Sequence, residues 1–120
     1  MNAILKTTAI ALRIAPYSNT SRIVVWLTEE GERLATIIKG ALRPKSLFIG
    51  EYDLFNTSEV LYYQRREDGL RIVRECSLLQ DRPRFRTDWR AYASRQRWFR
   101  TPNDAFMAGN FHVKEIAEKT

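Results

Sequence analysis

Apolar residues recur at every second position in a series of short runs, and this period of two most constrains the fold. Thr8, Ile10, Leu12 and Ile14 alternate with Thr7, Ala9, Ala11 and Arg13. An extended chain with one buried face has this spacing, so the run predicts a strand. Arg22 to Thr28 predicts a second, with Ile23, Val25 and Leu27 on one face and Val24 and Trp26 on the other. Leu34 to Lys39 predicts a third, and Asp53 to Tyr63 a fourth whose alternation is poor. Leu70, Ile72, Cys76 and Leu78 define the inner face of a fifth, with Arg74 as its misfit.

The breaks between these runs are compact. Pro16 to Ser21, Glu29 to Glu32, and Arg65 to Gly69 are rich in residues that close turns. Only the third connection is long, with Leu47 to Gly50 as a short helical turn or a cap under a barrel. Five short strands joined in this way predict a mainly β chain forming a small five-stranded antiparallel barrel. After Pro83 the period changes. Phe85, Trp89, Tyr92, Ala93 and Gln96 lie three or four residues apart and share one side of a helix. Thr87 or Asp88 is the expected cap, and Arg86, Arg90, Arg97 and Arg100 fall largely elsewhere. Three segments are expected: a barrel over residues 1–81, an Arg-rich helix over 82–100 packed on it, and an irregular tail over 101–120.

The net charge of +6 is unevenly placed. Residues 1–81 hold 11 Lys/Arg against 10 Asp/Glu, whereas residues 82–100 hold seven Arg and one acid, Asp88. Clustered cations point to a polyanionic partner, and a charged helix face kept in water is the competing reading. A second cluster lies in Lys39-Gly40-Ala41-Leu42-Arg43-Pro44-Lys45-Ser46, where three cations leave one loop and no acid intervenes. Gly40 permits backbone angles other residues resist, and Pro44 fixes its own φ. A glycine-containing basic loop suits a chain of phosphates. A solvated loop that happens to be basic would look the same.

In order, Thr8-Ala9-Ile10, Leu12-Arg13, Pro16-Tyr17, Arg22-Ile23-Val24, Leu27-Thr28-Glu29-Glu30-Gly31, Lys39-Gly40-Ala41 and Arg43-Pro44-Lys45-Ser46 resemble the amino-terminal domain of the RecO family of recombination mediators. The resemblance runs from about residue 5 to about residue 93. It implies an OB-fold, binding of single- and double-stranded DNA, annealing of complementary strands, and cooperation with a RecR-type partner protein. In that family single-strand binding protein docks on a helical carboxy-terminal domain, which has no counterpart in these residues, so that interaction is not carried over.

A binder of this kind holds a strand by basic groups plus aromatics that stack bases. Arg22, Lys39, Arg43 and Lys45 are the expected phosphate contacts; the three loop cations match the family motif and Arg22 matches the Arg before its second strand. Arg13 is a further candidate. Trp26 alternates away from Ile23, Val25 and Leu27 and is expected to face the groove as a stacking platform; Tyr17, Phe48 and Tyr63 are other aromatic candidates. Arg86 and Arg90 would extend the track or form a solvated helix face. The alternative is a module that docks a RecR-type protein with weak DNA contact.

Catalysis finds little support. Neither a P-loop nor a dinucleotide fingerprint occurs. The lone His112 lies in an unpatterned stretch, and Cys76 sits on an apolar strand face where a thiol is usually a small hydrophobe. A single cysteine excludes an internal disulfide and a cysteine zinc site within these residues. No enzyme activity, cofactor or metal is expected. No basic segment followed by a long apolar stretch opens the chain, and no apolar run nears the roughly 20 residues of a membrane helix. A cytoplasmic location is the expectation.

Overall fold

The computed structural model describes residues 3–95 and 101–107. Gln96, Arg97, Arg100 and His112 lie outside the described residues, as does the side chain of Tyr92. Five strands, β1 (Ile4–Pro16), β2 (Arg22–Thr28), β3 (Arg33–Ile38), β4 (Thr57–Glu67) and β5 (Leu70–Gln80), are followed by helices α1 (Pro83–Arg95) and α2 (Pro102–Met107). The strands close into a barrel in the order β1-β2-β3-β5-β4. Every pairing is antiparallel except β3 with β5, which are parallel through Thr36↔Arg71 and Ile37↔Ile72. Closure removes the free edges that a flat sheet of this size would expose.

Strand β1 reaches both neighbours because it is long. Its first half, Ile4 to Ile10, pairs with β4, and its second half, Ala9 to Pro16, pairs with β2. The register on β2 skips one residue between Ala11↔Trp26 and Arg13↔Val25. A bulge of this kind bends the strand and changes which alternate residues point inward. The interior accordingly takes Ala9 and Ala11 before the bulge and Ile14 after it. Ile10, Leu12 and Leu27 form a separate buried cluster, so both faces of this region are covered.

The inner face of β5 is Val73 and Cys76, where the alternation predicts Leu70, Ile72, Cys76 and Leu78. Leu78 is exposed. The ladder skips Arg74 between Leu61↔Glu75 and Tyr62↔Val73, so the misfit is a bulged residue. Burial pushes the Cys76 thiol up to about 12, as expected of a thiol used for packing. The β4–β5 hairpin turns on Asp68 and Gly69, whose φ angles of 52° and 77° suit a two-residue turn of the primed kind. Strand β4 therefore runs on to Glu67, past its expected end at Tyr63 and through Arg65 and Arg66 of the expected turn, and β5 begins at Leu70.

Asp53 to Asn56, expected to begin the fourth strand, forms no regular strand. Leu54 makes an isolated bridge to Ala11, and Phe55 has a φ of 66°, unusual for a bulky side chain. The surroundings fix this conformation. Phe55 N–H donates to Ala11 O (3.0 Å), and Arg82 Nη1 donates to Phe55 O (2.9 Å) and to Thr57 Oγ1 (2.6 Å). The Phe55 ring lies 6.3 Å from that of Phe85 and 6.2 Å from that of Trp89. Helix α1 is thus seated on the barrel through Phe55. It begins at Pro83, where a missing N–H does no harm, so Thr87 and Asp88 lie inside it and neither is its cap. Arg86 is drawn inward: it donates to Asn56 Oδ1 (2.5 Å), Leu54 O (3.2 Å) and Asp81 Oδ1 (2.9 Å). The Arg86 guanidinium lowers the Asp81 carboxyl below its ordinary value. Pro102 to Met107, expected to be irregular, forms the short α2, where Asp104 N–H and Thr101 Oγ1 are paired across its first turn (3.4 Å).

Candidate nucleic-acid interface

The connection from β3 to β4 folds over one end of the barrel. Gly40, with φ 72°, turns the chain as β3 ends, and Gly40 N–H donates to Ser21 Oγ (3.3 Å). Leu42 N–H donates to Thr20 O (2.9 Å), which ties the basic loop to the β1–β2 connection. Phe48 and Tyr52 pack on the barrel core from this end, so Phe48 is a cap. Between that cap and the basic loop lies a cleft of about 340 Å³ whose lining includes Arg22, Arg43, Pro44, Phe48 and Tyr52. Arg22 Nη1 donates to the Tyr52 hydroxyl (3.4 Å). On its other side Arg22 borders a second cleft of about 400 Å³ with Ile14 to Pro16, Leu42, Asp53 and Leu54.

Arg22 and Arg43, 21 positions apart in the chain, therefore meet at one cleft. Lys45 is exposed on the same loop. Lys39 is drawn toward the β4–β5 hairpin, where its ammonium lies 2.6 Å from Glu67, with both side chains about half exposed. A pair this wet contributes little to stability, which leaves Lys39 able to exchange Glu67 for another anion. Arg13 does not join them. It is exposed and pairs with Val25 in the ladder, on the side of the strand turned away from Ala11 and Ile14.

Trp26 is a correction. Its side chain is 0% exposed and belongs to the interior cluster with Val24, Ala9 and Ala11. The indole N–H donates to Thr36 Oγ1 (2.9 Å), which in turn donates to Val24 O (2.8 Å). The reason is that both faces of β2 are covered: Val25 and Leu27 are buried too. A ring without accessible surface cannot receive a base. Arg86 is likewise taken up by Asp53, Asp81 and Asn56, so it joins α1 to the barrel, while Arg90 is exposed. Tyr63 is half-buried on β4.

Tyr17 is exposed, and its hydroxyl donates to Asp68 Oδ2 (2.7 Å). That bond draws the β1–β2 connection to the tip of the β4–β5 hairpin. With Lys39–Glu67, it brings three connections to one side of the barrel. The hairpin's part was not foreseen from the sequence, although Asp68-Gly69 is a strong turn signal; counting back from that turn would have set Glu67 opposite Leu70 and Arg66 opposite Arg71. Among the described residues no group of three or more His, Cys, Asp or Glu is placed to hold a metal ion. No helix among them is long and apolar enough to cross a membrane.

A closed five-stranded barrel with this strand order, a long third connection and a helix after its fifth strand is an OB-fold, a class in which the face of strands two and three and the loops after strands one and four receive oligonucleotides or oligosaccharides. Residues 1–82 match the family described as Recombination protein O N terminal, and the chain belongs to that family. It is similar to the DNA repair protein RecO of Salinibacter ruber, 34% identical over 84 residues, covering 70% of this chain and 32% of that protein. The RecO proteins of Chlorobium limicola (31% over 94 residues; 72% of this chain, 36% of that protein) and Rhodopirellula baltica (37% over 78 residues; 65% and 28%) are also similar. The chain thus spans about a third of the length of these relatives.

Proposed function

We propose that this barrel is the DNA-binding domain of a RecO-type recombination mediator, active in recombinational repair. It holds single- and double-stranded DNA by their phosphates and supports annealing of complementary strands. The observation that carries this reading is the cleft shared by Arg22 and Arg43, with Lys39 and Lys45 on the same loop, which is tied through Leu42 to the β1–β2 connection, one of the loops that OB-folds use to receive oligonucleotides. Phosphate contacts position a strand without reading its bases, so binding is indifferent to sequence. The domain works by binding and positioning, without a catalytic residue or cofactor.

The test is titration of the chain with a fluorescent single strand and with the matching duplex, followed by an annealing assay. Retention of both forms, weakening steadily with salt, supports the reading; no retention at low salt contradicts it. A second reading has its own observation. Leu47 is 90% exposed and Ile49 is 62% exposed on the same connection, and exposed apolar groups beside cations suit a protein partner of RecR type. Capture of a RecR-type protein without DNA retention favours that reading.

A further inference from the structure

Beyond the loop cations, the β4–β5 hairpin carries two arginines that its register sets against each other. Counting back from the Asp68-Gly69 turn, Glu67 pairs with Leu70 and Arg66 pairs with Arg71. Directly opposed like charges destabilise a ladder, and the free protein does little to relieve this pair. The Arg66 side chain is exposed and makes no ion pair or hydrogen bond among the described residues. Arg71 Nη1 donates to Gln64 O, while its Nε is buried and has no partner among the described residues.

The pair also faces the right way. Arg71 is opposite Thr36 of β3, whose side chain lies inside the barrel against Trp26. Opposed residues share a face of a sheet, so Arg71 and Arg66 stand on the side of the hairpin continuous with the barrel interior. Lys39 follows β3 and reaches Glu67, the chain neighbour of Arg66. Asp68, the next acid, is held by Tyr17.

We propose that Arg66 and Arg71 form a subsite for a backbone phosphate of a single DNA strand, extending the path from the Arg43 loop onto the β4–β5 hairpin. This rests on the DNA-binding reading above. A phosphodiester supplies acceptors to both guanidiniums and relieves their mutual repulsion. Glu67 is the internal competitor: the strand displaces it from Lys39.

The experiment uses the full chain, a fluorescent oligodeoxythymidylate, and an abasic strand of equal length. The variants are Arg66→Ala, Arg66→Ala with Arg71→Ala, and Glu67→Gln. The double variant is expected to bind both strands more weakly and to flatten the slope of log affinity against log salt by about 0.7, the value for one phosphate contact. Arg66→Ala, which removes an exposed group, is expected to melt no lower than wild type and to flatten the slope in the same direction by less than the double variant does. Glu67→Gln is expected to bind more tightly. Unchanged slopes in the arginine variants, beside a wild-type chain that binds, overturn the subsite alone. A wild-type chain that binds neither strand overturns the domain's DNA-binding reading with it.

Discussion

Tyr17 and Asp68 stand 51 residues apart in sequence, and a 2.7 Å hydrogen bond between them joins the β1–β2 connection to the tip of the β4–β5 hairpin. That hydrogen bond, and then the charge of Asp68, raise the Tyr17 hydroxyl above its ordinary value. A raised folded-state value means the native protein holds the proton more tightly than the unfolded chain does. The stabilisation is therefore fully present below the ordinary phenol value of about 10 and is lost as pH climbs through the raised one. Melting temperature should fall more steeply with alkaline pH in wild type than in Tyr17→Phe. Parallel curves for the two would contradict the bond.

Trp26 should report on folding and not on DNA. Its ring is fully buried and its N–H is satisfied by Thr36. Trp26→Ala should cost about 3–5 kcal/mol, as for other large aromatic truncations, measured by denaturant unfolding. A variant that unfolds like wild type but loses oligonucleotide affinity would return the ring to the groove.

Cys76 should be chemically silent in the native state. Burial raises its thiol to about 12, so almost no thiolate exists near neutrality, and the thiolate is the reactive form. A disulfide reagent should label it at pH 8 only as fast as the barrel opens, and at once in denaturant. Rapid native labelling would contradict its place in the core.

Arg86 should act on stability alone. It bonds Asn56, the Leu54 carbonyl and Asp81, and its side chain is 16% exposed. Arg86→Ala takes a donor from the Leu54 carbonyl and from Asp81, leaves Asn56 Oδ1 with the Arg82 N–H alone, and should destabilise by about 1–3 kcal/mol, with the salt slope of DNA binding unchanged. A flattened slope would place α1 on the DNA path.

The five strands and the helix were legible because alternation and helical spacing are local. What alternation could not give was parity across a bulge. The skip at Leu12 moves the inward set from Ala9 and Ala11 to Ile14, and the skip at Arg74 moves it from Val73 to Cys76. Trp26 was misplaced because β2 is buried on both faces, so its two sets of side chains look alike in sequence. Arg86 was read as solvent-facing because its partners, Asp53 and Asn56, come from a connection that alternation read as strand. The cations at Lys39, Arg43 and Lys45 were legible as one loop. That Arg22 would share a cleft with Arg43, while Arg13 would not, depends on the closure of the barrel.

The central claim is that the loop cations hold phosphates. The most direct test is a salt titration of single-strand binding, with wild type beside the triple variant Lys39→Ala, Arg43→Ala and Lys45→Ala. If these three and Arg22 neutralise about four phosphates, the wild-type slope of log affinity against log salt is near −3, from roughly −0.7 per phosphate, with any hairpin contacts adding to it. The triple variant should flatten it by about 2 units, for mixed and homopolymer strands alike. Stability should change by no more than about 0.5 kcal/mol, because all three side chains are exposed. A slope unchanged in the triple variant would contradict the account.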